Sequence, residues 1–200
     1  MSNRIGIFGG TFDPPHIGHL ILAGEAEGFL HLDRLLWLLT PDPPHKETQS
    51  LTDWQHRQAM LELCLANNPN FEFSRLDIDR PGPHYAVDTL NILAAQNPNA
   101  DLVYIMGGDS LRDLPTWHKP REFVQACHSL GVMRRPGDSI SLENLEKQIP
   151  GLSQKVCFMD APLLGISSRQ IRQRIIENHP FRYYVPNTVF NYIEEHHLYR

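Results

Sequence analysis

The chain has 200 residues, of which 41% are hydrophobic and 20% charged, a composition that predicts one globular domain with a substantial apolar core. Its formal net charge is -5 and its basic residues are dispersed, which argues against a nucleic-acid-binding protein. No stretch approaches the roughly 20 apolar residues that cross a bilayer, and the N-terminus lacks a secretory signal pattern, so we expect a cytoplasmic protein without a membrane partner. The three cysteines are far apart and show no CxxC spacing, which indicates reduced thiols rather than disulfides or a zinc ribbon.

Short apolar segments alternate along the chain with longer segments of helical periodicity. The apolar segments, bounded by Gly, Pro or Asp, predict strands at 4–10, 34–40, 71–76, 101–108, 129–134 and 155–160. The intervening segments predict helices at 17–30, 53–67, 84–96, 120–127 and 142–149, followed by two more at 168–178 and 187–197. This alternation predicts the α/β class, as a doubly wound, Rossmann-like parallel sheet with helices on both faces. We expect a single domain over residues 1–200, with residues 166–200 as a helical C-terminal cap or subdomain, and a ligand at the carboxyl ends of the strands.

The stretch GGTFDPPHIGH, residues 9–19, links the first predicted strand to the first predicted helix. Gly9 and Gly10 let a phosphate approach the main chain closely, and the helix N-terminus adds the positive end of its dipole. His16 and His19 project from one face of the first turn toward the same phosphate, where a histidine can donate a hydrogen bond or carry charge near pH 7. The stretch matches neither a P-loop nor a GxGxxG motif. A tight turn followed by a metal-site fragment or by surface histidines is the alternative interpretation.

The string HxGH directly after GGTFDPP closely resembles the signature of the HxGH nucleotidyltransferases. Those enzymes transfer AMP or CMP from a nucleoside triphosphate to a phosphate-bearing acceptor and release pyrophosphate. A second segment, GISSRQIRQRI at 165–175, resembles the ISSTxIR signature of the same superfamily, with Arg169 in place of the usual Thr. A helix start with hydroxyls and nearby arginines also suits an anion, whereas plain helix capping is the alternative role for its serines.

Three further segments lie at the carboxyl ends of predicted strands: TPDPPHKE (40–47), YAVDTL (85–90) and GGDSLRDLPTWHK (107–119). They resemble the PxxPHK, Y[ST]xDTL and GxDSLxxLPxW hallmarks of the bacterial nicotinate-nucleotide adenylyltransferases, with Ala86 replacing the usual small hydroxyl residue. The resemblance implies transfer of AMP from ATP to nicotinate mononucleotide, giving deamido-NAD and pyrophosphate in NAD biosynthesis. It implies ATP-binding roles for Gly9, Gly10, Thr11, Phe12, Gly108, Asp109 (on the ribose), Ile166, Ser167, Ser168 and Arg169. It implies acceptor-binding roles for His45, Lys46, Thr89 and Trp117, the last stacked on the pyridine ring.

The groups available indicate a direct mechanism. The acceptor phosphate is already ionised at neutral pH, and no Ser-His-Asp or Cys-His set stands out, so we expect in-line attack on the α-phosphorus without a covalent intermediate. The expected catalytic residues, which position and neutralise the phosphates, are His16, His19, Lys46 and Arg172. No Asp, Glu or His cluster has metal-site spacing, so we expect Mg²⁺ to arrive with ATP and to have few protein ligands.

Other interpretations stay open at this point. Within the enzyme class, the acceptor could be nicotinamide mononucleotide or phosphopantetheine, although phosphopantetheine adenylyltransferases are shorter and lack the DSLxxLPxW segment. From a different class, the chain could be a nucleotide-sensing protein or a metal-binding protein that uses its 11 histidines. The sequence leaves the oligomeric state open.

Overall fold

A sheet of six parallel strands forms the centre of the computed structural model, which describes residues 3–42, 51–134, 140–160, 162 and 165–200. The strands are β1 (Asn3–Gly10), β2 (Arg34–Leu39), β3 (Phe71–Ser74), β4 (Ala100–Gly107), β5 (Ser129–Arg134) and β6 (Val156–Asp160). They lie in the order β3-β2-β1-β4-β5-β6, so the direction of winding reverses between β1 and β4. Ligands of doubly wound sheets bind beside such a reversal, at the carboxyl ends of the strands.

The helices of the described chain connect these strands. They are α1 (Ile17–Leu30), α2 (Trp54–Leu65), α3 (Ala86–Gln96), α4 (Gly108–Asp113), α5 (Pro120–Ala126), α6 (Leu142–Gln148), α7 (Ser168–Ile176) and α8 (Asn187–Glu195). The predicted strands and helices are confirmed, with bounds that differ by at most two residues. The short helix α4 was not predicted. It directly follows β4, in the segment 107–119 for which the sequence indicated a ligand-binding motif but no helix.

Helices cover both faces of the sheet, so neighbouring residues of a strand belong to different cores. Ile7 of β1 belongs to one apolar cluster with Leu90 of α3. Phe8, the next residue, belongs to another cluster with Leu22 of α1. This arrangement confirms the predicted doubly wound, Rossmann-like architecture.

Helices α7 and α8 form a third apolar cluster with α2. Ile171 of α7 and Ile193 of α8 are both fully buried there, together with Met60 of α2. The predicted helical C-terminal cap is therefore present, and it holds α7 against the loop that follows β1. No helix in the described part of the chain is long and apolar enough to cross a membrane.

Candidate active site

Loop 9–19 runs from the carboxyl end of β1 into α1, and its two histidines cap that helix. His16 is the N-cap, and the His19 backbone N–H donates to His16 Nδ1 at 3.3 Å. In return, the His16 backbone N–H donates to His19 Nδ1 at 3.2 Å, so the pair forms a capping box built from two imidazoles. The rings are stacked with centroids 3.6 Å apart. Because each Nδ1 accepts a hydrogen bond, the proton of each neutral ring lies on Nε2, which is the atom that can donate to a phosphate oxygen.

Burial sets the charge of His16. The residue is only 5% exposed, and this burial lowers the pKa of its imidazole to about 4. His16 is therefore neutral near pH 7, which differs from the charged histidine that the sequence suggested as one option. It serves as a hydrogen-bond donor of fixed tautomer rather than as a cation.

Gly18, the glycine of the HxGH string, makes room for the His16 ring. A Cβ atom at position 18 would lie 3.1 Å from His16 Nδ1 and 3.2 Å from its Cε1, closer than ordinary van der Waals contact. Gly10 at the other end of the loop has a similar role, because a Cβ there would lie 2.9 Å from the Phe12 ring. Each glycine therefore permits the close approach of an aromatic ring to the main chain of the loop.

Phe12 anchors the loop in the core. Its side chain is 2% exposed, and its ring meets those of His19 and Trp37 at centroid distances of 5.1 and 5.3 Å. Its backbone adopts φ of 46°, in the left-handed region that is uncommon for a residue with a bulky side chain. The ring is thus part of the core, so the ATP contact predicted for Phe12 can come only from its backbone.

The buried Arg57 of α2 ties three loop segments together, and the sequence analysis missed it. Its guanidinium is 2% exposed and donates to the backbone oxygens of Thr11 (3.1 Å), Thr40 (2.9 Å), Pro41 (2.6 Å) and Thr52 (2.7 Å). Thr11 is in loop 9–19, whereas Thr40 and Pro41 begin the segment predicted to bind the acceptor. A signal for Arg57 existed in the sequence, since it occupies the buried stripe of α2 that continues through Met60, Leu61, Cys64 and Leu65.

The start of α7 lies against loop 9–19. The Ser168 hydroxyl donates to the Pro14 oxygen at 2.8 Å, and Arg172 Nη1 donates to the Asp13 oxygen at 2.6 Å. Ser167 is the N-cap of α7, and its hydroxyl accepts the Gln170 N–H. The structure thus brings the two predicted phosphate-binding segments together, although they are about 150 residues apart in the chain.

The other residues predicted at this segment have different environments. Ile166 is half-buried, and its Cβ lies 3.8 Å from the position of a Cβ on Gly18. Arg169 is exposed on the first turn of α7. Ser168 and Arg172 bind loop backbone, and their contacts with phosphate stay predictions.

Asp13 is a second residue that the sequence analysis missed. Its side chain is 1% exposed; Oδ1 accepts the Tyr199 hydroxyl at 2.7 Å and Oδ2 accepts the Thr52 N–H at 3.3 Å. Arg172 Nη1 lies 3.9 Å from Oδ2. No periodic or short-range pattern in the sequence marks the pairing of Asp13 with Tyr199, because the two are 186 residues apart.

At the carboxyl end of β4, Gly107 is the N-cap of α4 and Gly108 is buried at its first position. Asp109 follows in the first turn, with an exposed carboxylate that accepts from Arg112 Nη1 at 3.1 Å. Since β4 pairs directly with β1, this turn and loop 9–19 flank the point at which the winding of the sheet reverses. Asp109 is therefore placed where a ligand of this fold class binds.

Thr89, predicted to contact the acceptor, lies inside α3 with only 3% of its surface exposed. Its hydroxyl donates to Asp77 Oδ1 at 2.7 Å and accepts from Arg80 Nη2 at 3.1 Å. Arg80 and Asp77 are themselves an ion pair at 3.0 Å. The hydroxyl of Thr89 thus already belongs to an internal polar network at the start of α3.

Trp117 is half-buried after a short 3₁₀ turn (Leu114–Thr116), and its ring meets the edge of Phe123 at 5.1 Å. The neighbouring His118 is exposed and stacks on Tyr85, the N-cap of α3, with centroids 4.0 Å apart. The His118–Tyr85 pair thus lies at the start of α3, next in the chain to Trp117, which is the residue predicted to stack on the acceptor ring. The other two predicted acceptor residues, His45 and Lys46, lie outside the described residues.

Sequence comparison with known proteins assigns the chain to a family. Residues 7–174 match the cytidylyltransferase-like family model. A probable nicotinate-nucleotide adenylyltransferase of Thermomicrobium roseum is 45% identical over 198 residues, which cover 99% of this chain and 92% of that protein. The nicotinate-nucleotide adenylyltransferase of Bacillus subtilis is 39% identical over 196 residues, which cover 98% of each. This chain belongs to the nicotinate-nucleotide adenylyltransferase family.

Solved structures of nicotinate-nucleotide adenylyltransferases share the fold. The Plasmodium falciparum nicotinic acid mononucleotide adenylyltransferase complexed with NaAD matches with a TM-score of 0.80 and 20% identity, covering 98% of this chain and 97% of that one. A putative nicotinate-nucleotide adenylyltransferase of Vibrio parahaemolyticus matches with a TM-score of 0.68 and 19% identity, covering 99% and 96%. These structures support the fold, and the family model and the two relatives above confirm the family resemblance.

Members of this family are enzymes, ATP-using nucleotidyltransferases that generally use a divalent metal ion. Within the described ranges, no group of three or more His, Cys, Asp or Glu side chains could hold a metal ion.

Proposed function

We propose that the chain transfers AMP from ATP to nicotinate mononucleotide, forming deamido-NAD and releasing pyrophosphate. The observation that carries the proposal is the contact between loop 9–19 and the start of α7, made by Ser168 on Pro14 at 2.8 Å and by Arg172 on Asp13 at 2.6 Å. Two helix N-termini, those of α1 and α7, thereby face one region at the carboxyl end of β1. Such a pair suits the extended anion of a triphosphate, because each N-terminus presents N–H donors and a positive dipole end.

In this proposal, main-chain groups of Gly9, Gly10 and Thr11 approach the nucleotide, and the Nε2–H groups of His16 and His19 donate to the phosphates. The fixed tautomers of the two histidines support this role, since neither ring has to reorganise when charge builds up on a phosphoryl oxygen. Ser167, Ser168 and Arg169 would receive the distal phosphates, and Arg172 would change partner from the Asp13 oxygen to a phosphate or bind both.

In the reaction, a phosphate oxygen of the acceptor forms a bond to the α-phosphorus of ATP, and the bond from that phosphorus to the pyrophosphate oxygen breaks. The attacking oxygen already carries charge at neutral pH, so no protein group has to remove a proton. The protein contributes orientation of the two substrates and stabilisation of charge in the transition state. His45, Lys46, Thr89 and Trp117 remain the proposed residues of the acceptor side, with Thr89 acting through the start of α3.

We propose Mg²⁺ as the divalent metal ion, bound to the triphosphate; when bound, it neutralises charge on the phosphoryl oxygens. Asp13 of loop 9–19 and Asp109 of α4 already accept hydrogen bonds from Tyr199 and Arg112. The other site groups on loop 9–19 and α7 are N–H, O–H and guanidinium donors. Because these groups are hydrogen-bond donors rather than carboxylate ligands, they fit a metal ion that is held mainly by the oxygens of ATP.

The test is pyrophosphate release by the purified protein with ATP and Mg²⁺, measured in parallel with nicotinate mononucleotide, nicotinamide mononucleotide and phosphopantetheine. We expect release with nicotinate mononucleotide at a kcat/KM well above that for the other two acceptors. Stronger release with nicotinamide mononucleotide or phosphopantetheine would overturn the proposed acceptor. Zinc binding or ATP binding without any release would favour the non-enzymatic alternatives. A cytoplasmic location stays a prediction.

A further inference from the structure

Loop 9–19 has a buried carboxylate that the proposed reaction does not use. Asp13 lies between Phe12 and Pro14 and is 1% exposed. A buried carboxylate is costly unless every oxygen finds a donor. Here Oδ1 accepts the Tyr199 hydroxyl at 2.7 Å, Oδ2 accepts the Thr52 N–H at 3.3 Å, and the Arg172 guanidinium lies 3.9 Å from Oδ2.

These partners come from three separate parts of the chain. Thr52 precedes α2, Arg172 is on α7, and Tyr199 follows α8. Asp13 therefore links the C-terminal segment to loop 9–19, and it adds to the contacts that Arg57 of α2 and Ser168 of α7 make with the same loop. Its own backbone oxygen also accepts from Arg172, at 2.6 Å.

Tyr199 is held in place to make this contact. Its backbone adopts φ of 65°, in the left-handed region that costs energy for a residue with a side chain, so surrounding contacts hold it there. Its hydroxyl lies 4.0 Å from Met60 Sδ, at the edge of the third apolar cluster. Burial and the nearby Asp13 charge both raise the pKa of Tyr199, which keeps the phenol a donor at all physiological pH values.

We propose that Asp13 and Tyr199 are positioning residues for adenylyl transfer, whose hydrogen bond holds loop 9–19 in the conformation that presents His16 and His19 to the phosphates of ATP. The inference rests on the proposed function, because it assigns ATP to this loop. His16 is three residues after Asp13, and the chain between them also carries the Pro14 oxygen that binds Ser168. A shift of Asp13 would therefore move both the histidine pair and the contact with α7.

The decisive variant is Tyr199→Phe, which removes only the hydroxyl oxygen. We expect kcat/KM for ATP to fall about tenfold, the effect of losing one hydrogen bond to a charged group, while KM for nicotinate mononucleotide changes less than about twofold. Direct ATP binding measured by calorimetry should weaken in parallel. The matched control is Tyr183→Phe, the same chemical change on a side chain that is 87% exposed, and it should leave every parameter unchanged.

A double-variant cycle separates positioning from simple stabilisation. If the bond acts through Asp13, adding Tyr199→Phe to Asp13→Asn should reduce ATP affinity by much less than Tyr199→Phe does alone. A variant Tyr199→Phe with a lowered melting temperature but wild-type ATP binding and kcat/KM, measured well below melting, would overturn the proposal.

The two proposals can fail separately. Wild-type protein that binds ATP but releases no pyrophosphate with nicotinate mononucleotide would refute the proposed function, and the calorimetric comparison would still decide the role of Tyr199. Wild-type protein that does not bind ATP would refute both.

Discussion

Replacing Gly18 by Ala should separate the stability of the protein from its activity. The added Cβ would lie 3.1 Å from His16 Nδ1, so the ring has to move by a few tenths of an ångström. His16 is 5% exposed and is stacked on His19 at 3.6 Å, which leaves it little room. The hydrogen bond from the His19 N–H to His16 Nδ1 is already 3.3 Å long, and further displacement takes it outside hydrogen-bonding range.

Gly18→Ala should change the free energy of unfolding much less than it changes the activation free energy of the reaction. Alanine in place of a helical glycine stabilises by about 0.5–1 kcal/mol, whereas loss of an N-cap hydrogen bond costs about 1 kcal/mol, so the free energy of unfolding should change little. Misplacing one preorganised donor to a developing oxyanion costs about 3–4 kcal/mol of transition-state stabilisation. We therefore expect kcat to fall by about a hundredfold or more.

The assay is pyrophosphate release at saturating ATP and nicotinate mononucleotide, together with thermal unfolding of the same samples. Gly24→Ala is the matched control, since Gly24 is an exposed residue of the same helix and a Cβ there would meet nothing within 4 Å. It should stabilise the protein by up to about 1 kcal/mol and leave kcat unchanged. Wild-type kcat in Gly18→Ala would refute the reasoning, because it would show that the His16 ring need not keep its observed position.

Three other predictions follow from single residues. His19→Ala should lower turnover at least about a hundredfold while circular dichroism stays native; near-normal turnover would remove His19 from the catalytic residues. Because the pKa of His16 is lowered from 6.5 to about 4, the unfolded state binds more protons between these values, and stability should fall as the pH drops from 6.5 to 4. Urea unfolding should show a smaller loss across that window in His16→Asn, and equal pH dependence would contradict the account. Thr89→Val removes the donor to buried Asp77 and should lower the free energy of unfolding by about 1–3 kcal/mol, as measured by denaturant titration. An unchanged free energy of unfolding would show that this hydrogen bond does not stabilise the protein.

The architecture and the position of loop 9–19 between β1 and α1 were predictable because their signals are local. Strand and helix periodicities repeat within a few residues, and the glycines and histidines of loop 9–19 lie within one short segment. Helix α4 was missed because its six residues, Gly108–Asp113, are too few to display a helical period.

The residues that hold the loop were not predictable in the same way. Asp13 and Tyr199 pair across 186 residues, and such a contact leaves no trace in a local pattern. Arg57 did leave a local signal, because it is a charged residue on the buried stripe of α2. Arginine is so rarely buried, however, that an exposed position is the usual expectation. Thr89 shows a different limit: the motif predicts an acceptor contact, which stays a prediction, but it gives no sign that the hydroxyl also binds Asp77 in the polar network at the start of α3.

Direct transfer of AMP from ATP to nicotinate mononucleotide is tested most directly by following the α-phosphate. ATP labelled at that phosphate is mixed with the protein, Mg²⁺ and nicotinate mononucleotide, and the quenched products are separated. We expect the label to appear in deamido-NAD at the rate of pyrophosphate release and never on the protein. Label that accumulates on the protein, or that is absent from deamido-NAD while pyrophosphate is released, would contradict direct transfer.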